Sequence, residues 1–162
     1  MITSSVQEFY SFFQFGKPIM SIDYGLRKIG FAISTPDLSY SMPYMNEVQG
    51  DDQKKIELAV KIISDKDICA IVIGWPVNMD GSKSSQTIIV ENFAKILSKS
   101  IKLPIFFQDE RLTTRAADVA LKGLGLNRRT RNNNDDAVSA SMILETTLLA
   151  IAKLKRHPEP LY

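Results

Sequence analysis

Three carboxylates, Asp23, Glu110 and Asp136, are the side chains of this sequence best placed to do chemistry. Asp23 ends the apolar run Ile19-Met20-Ser21-Ile22, just before Tyr24-Gly25. An acid in such a setting is costly to place unless it has partners or a cation. Glu110 closes a second apolar run, Pro104 to Gln108, and Asp136 opens a third, so each acid stands at the end of an element. Carboxylates brought together repel, and some would hold protons. A divalent cation removes that repulsion through oxygen ligation. Two such cations, about 3.5–4 Å apart, clamp a phosphate, activate water and stabilise the leaving oxygen. The expected chemistry is metal-assisted phosphate ester cleavage.

The elements that must carry these acids can be read from periodicity. Strand patterns cover about 18–24, 28–35 and 40–48, the first two joined through the tight Gly25-Leu26-Arg27 turn of an antiparallel hairpin. Pro43 marks the third as an edge. Asp51 or Asp52 can cap a helix with Ile56, Ala59, Val60 and Ile63 on its apolar stripe. Cys69 to Ile73 is a continuous apolar run, as in a strand covered on both faces. A helix near 84–99 follows, with Ile89, Phe93, Ile96 and Leu97 facing inward. A strand ending at Asp109-Glu110 comes next. Thr113 or Thr114 can cap a further helix, and a polar, basic loop spans 125–134. The last helix starts near Asp135, with Ala137, Ala140, Leu144, Leu148 and Ile151 in its stripe. Strands joined by helices run parallel. Asp23, the loop after Gly74 and Asp109-Glu110 therefore share one sheet edge, the edge where open α/β sheets bind ligands.

The chain has 162 residues, 44% of them hydrophobic, which suits one domain with a real core. Its single cysteine, Cys69, points to a reducing compartment and an expected cytoplasmic location. No secretion signal is expected, nor a membrane span of about 20 apolar residues. Net charge is only +2. Between Arg111 and Arg131, however, six basic residues (Arg111, Arg115, Lys122, Arg128, Arg129 and Arg131) face the single acid Asp118. Beside an acidic metal site, that surplus points to a polyanion.

Four ordered segments carry a resemblance. Asp23-Tyr24-Gly25-Leu26-Arg27-Lys28-Ile29-Gly30-Phe31-Ala32 resembles the opening motif of the YqgF family, a RuvC-like branch of the RNase H-like superfamily. Gly74-Trp75-Pro76-Val77-Asn78-Met79-Asp80-Gly81, Asp109-Glu110-Arg111-Leu112-Thr113-Thr114 and Asp136-Ala137-Val138-Ser139-Ala140 agree in order and spacing. The resemblance covers about 18–150. It implies an α/β, RNase H-like fold: a five-stranded mixed sheet, its first three strands antiparallel, flanked by helices. It also implies a nuclease dependent on Mg²⁺ or Mn²⁺, with Asp23, Glu110 and Asp136 as metal ligands and catalytic residues, and Asp135 or Asp109 as an auxiliary acid. Gly74, Pro76 and Gly81 would shape a loop beside the scissile phosphate. Arg27, Lys28, Arg111, Arg115, Arg128, Arg129 and Arg131 would bind nucleic acid.

Family members are described both as processing nucleases for the 5′ end of pre-16S rRNA and as Holliday junction resolvases. The expected substrate is accordingly pre-rRNA, with branched DNA as the alternative. Ribosomal precursor particles are an expected partner, and the chain is expected as a monomer or homodimer. A non-catalytic nucleic-acid-binding module is a further alternative, opposed by the presence of all three acids. An actin-like phosphotransferase would need a longer, two-lobed chain. The domain is expected over 18–153, between an aromatic-rich extension at 1–17 and a polar tail at 154–162. Val6, Phe9, Tyr10 and Phe13 fall at helical spacing in that extension, so it should pack on the domain or on a second subunit.

Overall fold

The apolar run at residues 19–24 becomes a strand because both of its faces meet other layers. The computed structural model describes residues 1–12, 14–48, 50–111 and 136–157. Its elements are β1 (Ile2–Thr3), α1 (Val6–Phe12), β2 (Ile19–Tyr24), β3 (Lys28–Ser34), β4 (Ser41–Val48), α2 (Asp52–Lys66), β5 (Ala70–Trp75), α3 (Ser85–Ser100), β6 (Ile105–Asp109) and α4 (Asp136–Arg156). The expected helix after Thr113 and the basic loop at 125–134 lie outside the described residues, as does the tail from 158.

The strands form one sheet in the order β1-β6-β5-β2-β3-β4. β2 pairs antiparallel with β3, and β3 with β4. β5 lies parallel to β2, and β6 parallel to β5, as helix crossovers require. β4 is an edge, so Pro43 removes no interior ladder bond. The sheet has six strands where the family pattern implied five. The sixth is β1, whose Ile2 and Thr3 pair parallel with Ile105 and Phe106.

The N-terminal residues are thus built into the sheet. Phe9 is fully buried and stacks on Phe106, with ring centroids 5.2 Å apart. Of the aromatic run, Phe12 and Phe15 remain exposed. A two-residue strand leaves no room for a period-2 signal, which is why it escaped a pattern-based reading.

Alternation along each strand sorts the core into two layers. Met20, Ile22, Ile29, Phe31, Ile71 and Ile73 pack with Phe93, Ala94 and Leu97 of α3 and with Ile56, Ala59 and Ile62 of α2. Ile19, Ala32, Ala70, Val72 and Phe106 face α4 and α1. The buried stripe of α3 runs through Val90 and Ala94 with Phe93 and Leu97, and leaves the expected Ile96 exposed. Ser84 and Thr87 form a reciprocal capping box that fixes where that helix starts.

By length and composition α4 could cross a membrane, with a mean hydropathy of 1.5 over an 18-residue window, where no such span is expected from the sequence. Here its apolar stripe is spent on the sheet: Ala137, Ala140, Ile143, Leu144, Leu148 and Ile151 are all buried against it or its neighbours. A core helix of this length meets the same compositional test.

Candidate active site

The α4 side of the sheet is lined by small residues. Ser21, Gly30, Ala32, Ala70 and Gly74 let the helix approach closely, and polar bonds, two of them buried, set its register. Ser21 Oγ donates to the Ala140 carbonyl at 2.6 Å. Thr147 Oγ1 donates to Gln108 Oε1 at 2.8 Å. The side-chain carbonyl of Asn46, on β4, accepts from the backbone N–H of Ala137. That last bond satisfies one of the four orphan donors at the start of the helix.

Asp23 shares this face with Ser21 by strand alternation, and it is partly exposed. Its cross-strand partner is Gly30. A side chain there would occupy the space beside Asp23. Because Gly30 has none, the backbone of Asp136 fills that space: a Cβ built on Gly30 would lie 2.1 Å from the Asp136 carbonyl carbon. The start of α4 therefore sits directly beside the Asp23 strand position.

Glu110 reaches the same face from the other side. It follows the last residue of β6, and its Oε1 would lie 2.3 Å from a Cβ on Gly74. Gly74 is one step beyond Ile73, which pairs with Ile22, so it neighbours Asp23 across the β2–β5 ladder. Asp23, Glu110 and Asp136 thus come to one face at the carboxyl edge of the parallel strands. Two side-chain-free positions make this possible. Three hard oxygen donors suit a divalent cation in chemistry and charge. Among the described residues, no group of three or more acids, histidines or cysteines stands in a metal-holding arrangement. What the fold supplies is a shared face and edge.

Asp109 belongs elsewhere. It alternates to the opposite face from Glu110, opposite Trp75. Arg111 holds it with Nε 3.0 Å from both carboxylate oxygens and Nη2 2.6 Å from Oδ2. This guanidinium keeps the Asp109 carboxyl below the usual carboxylate range, outweighing the effect of burial, and Asp109 in turn holds the Arg111 guanidinium above its ordinary value. The auxiliary-acid role considered for Asp109 is therefore not supported. Arg111, expected to meet a phosphate, instead clamps a loop: its Nη1 donates to the Met79 carbonyl at 2.9 Å.

That loop carries the expected Pro76 and Gly81. The Pro76 carbonyl accepts from Thr87 Oγ1, and the Gly81 N–H donates to Asn78 O at 2.8 Å. Gly81 has φ +86°, a conformation that glycine adopts without strain. Trp75 packs on Phe107 and donates to Glu91 at 3.1 Å, so its ring is spent inside the protein. Arg27 and Lys28 are exposed on the β2–β3 turn. Arg115, Arg128, Arg129, Arg131 and Asp135 lie outside the described residues.

The Asp109–Arg111 clamp makes a pH prediction. The folded carboxyl titrates below its unfolded value, so its stabilisation is present above the unfolded pKa, near 4, and is lost as pH falls through the folded one. Asp109→Asn should lower the unfolding midpoint at pH 7, and the gap to wild type should close in strongly acidic buffer. Thermal melts across an acid series would check this. A gap that stays constant with pH would mean the clamp is not the cause.

Asn46 and Gly30 were not legible as site residues. Asn46 reads as an ordinary strand residue, and Gly30 as turn geometry. Only the close approach of a helix far along the chain gives them their roles.

Comparison with known proteins places these observations. Residues 17–150 match the family model described as RuvX: Holliday junction resolvase. A protein of Rickettsia rickettsii (strain Sheila Smith) is 46% identical over 154 residues, covering 95% of this chain and all of that protein. One from Rickettsia bellii (strain OSU 85-389) is 48% identical over the same span and shares. Both are named "Putative pre-16S rRNA nuclease". Among solved structures, Thermus thermophilus RuvC in complex with a Holliday junction substrate aligns with TM-score 0.56 at 11% identity, over 84% of this chain and 96% of that one. The yeast mitochondrial Holliday junction resolvase Ydc2 aligns with TM-score 0.53 at 11% identity, over 94% and 86%. At such identities these two likenesses speak to fold.

Proposed function

This chain belongs to the RuvX family, the YqgF family of its sequence motifs, and from that premise we propose that it is a metal-dependent nuclease that trims the 5′ end of precursor 16S rRNA. The family and its relatives carry the coarser statement, a hydrolase of phosphodiester bonds. The observation that carries the site is the arrival of Asp23, Glu110 and Asp136 on one sheet face, over Gly30 and Gly74.

Asp23, Glu110 and Asp136 would hold Mg²⁺ or Mn²⁺. Bound there, the metal would activate water and neutralise charge on the phosphate. The chain's own residues do the rest. Asn46 and Gly30 set where Asp136 stands. Gly74 leaves room for the Glu110 carboxylate. The Arg111 clamp holds the 76–81 loop against the end of β6. Arg27 and Lys28 offer exposed cations on the turn that follows Asp23, suited to flanking phosphates. The pre-rRNA substrate is supported by the names of the near-half-identical relatives. The family description favours a second reading, cleavage of four-way DNA junctions. A cytoplasmic setting accords with one buried, unpaired cysteine.

The deciding experiment offers 5′-extended 16S precursor and a four-way DNA junction in parallel, with Mg²⁺, with Mn²⁺ and with chelator. We expect shortened RNA only when metal is present. Junction cutting with the RNA left intact would shift the assignment to a resolvase. No cleavage of either substrate with either metal would sink the nuclease reading.

A further inference from the structure

Lys55 is the one charged residue buried among the described residues, 1% exposed. An ammonium taken out of water is costly unless its donors are met. Lys55 Nζ donates to the Gly25 carbonyl at 2.9 Å and the Leu26 carbonyl at 2.7 Å. It also stands 4.9 Å from the centroid of the Tyr24 ring and 3.7 Å from Asp52 Oδ1. The Tyr24 hydroxyl donates to that same oxygen at 2.7 Å.

The turn that Lys55 reaches is closed by the Gly25 N–H, bonded to Lys28 O at 2.8 Å. Its two inward carbonyls are drawn onto α2, and its tip faces solvent: Leu26, Arg27 and Lys28 are all exposed. The turn starts two residues after Asp23. An apolar side chain at position 55 could fill the space but would leave those two carbonyls unpaired.

We propose, on the nuclease reading above, that Lys55 is a positioning residue for substrate: it braces the Gly25–Lys28 turn so that Arg27 and Lys28 grip the phosphates flanking the bond to be cut. Bracing matters because a loose turn must be ordered when substrate arrives, and that entropy is subtracted from affinity. Arg111 is less suited to the task, since its Nε, Nη1 and Nη2 each already make a bond within the protein.

The test is binding without cleavage. Affinity for a fluorescent single-stranded RNA and a four-way DNA junction is measured in chelator across a salt series, with melts to confirm folding. Lys55→Met should weaken binding about tenfold at low salt and lower the log–log salt slope by about 1 to 2, because phosphate contacts are lost. The double variant Arg27→Ala, Lys28→Ala should do the same, and Lys55→Met added to it should change nothing further. A purely structural lysine would leave the salt slope intact and add its effect independently. Should Lys55→Met not fold, Lys55→Gln, which keeps an N–H for one carbonyl, carries the same comparison with a smaller loss. Full affinity and slope in the folded variant, or an additive loss in the triple variant, overturns this inference alone. A wild-type chain that binds neither probe overturns it together with the nuclease reading.

Discussion

Asp23→Asn should stop cleavage while leaving the fold standing. Asn has the same size and can still accept a hydrogen bond through its side-chain oxygen. It loses the negative charge and most of the affinity for a hard cation. If Asp23 holds the metal, single-turnover cleavage should fall by about a thousandfold or more, since several kcal/mol of charge stabilisation go with it. Asp23 is only partly buried, so the unfolding free energy should move by less than about 1 kcal/mol. The two readouts together are the test. Near-normal cleavage by Asp23→Asn would end the three-carboxylate model. Lost cleavage in a protein that no longer melts cooperatively would speak only of folding.

Gly30→Ala carries the other large effect, and it should strike stability and rate together. The added Cβ would lie 2.1 Å from the Asp136 carbonyl carbon, 2.2 Å from its oxygen and 2.6 Å from the Ala137 nitrogen. All three are backbone atoms, so no side chain can swing away. β3 is held between β2 and β4, and the start of α4 must therefore move. That movement pulls the Ala137 N–H from Asn46 and carries Asp136 away from Asp23. Overpacking of this kind should cost about 2–4 kcal/mol, seen in denaturant titrations. A catalytic group displaced by about 1 Å can lose a hundredfold in rate. Gly50→Ala is the natural control, because nothing lies within 4 Å of its Cβ position. A Gly30→Ala protein as stable and active as that control would mean the helix does not approach β3 as described.

Each part of this molecule was legible in the sequence to the extent that its cause is local. The hairpin around Gly25, the parallel crossovers and the edge position of Pro43 follow from backbone pairing and from period-2 and period-3.6 patterns. Those rules also place Asp23 and Glu110 at one end of parallel strands. Two pattern-based expectations needed adjustment. The buried stripe of α3 is turned toward Val90 and Ala94, because the neighbours it packs against decide which residues are covered. The sheet gained β1, because two residues are too few to show a period.

The sequence by itself determined the order of the described elements from β2 onward, their parallel or antiparallel sense, and the arrival of Asp23 and Glu110 at one edge, while it left open whether Asp136 joins them. Only the tertiary structure decided what stands around them. Asn46 receives the start of a helix 91 residues further on, Gly30 is the gap that lets that helix in, Lys55 braces a turn from inside the core, and Arg111 closes on Asp109 instead of facing outward. The physical reason is that alternation and helical spacing are properties of neighbouring residues. A hydrogen bond or a missing Cβ acquires meaning only from the group that folding brings opposite it.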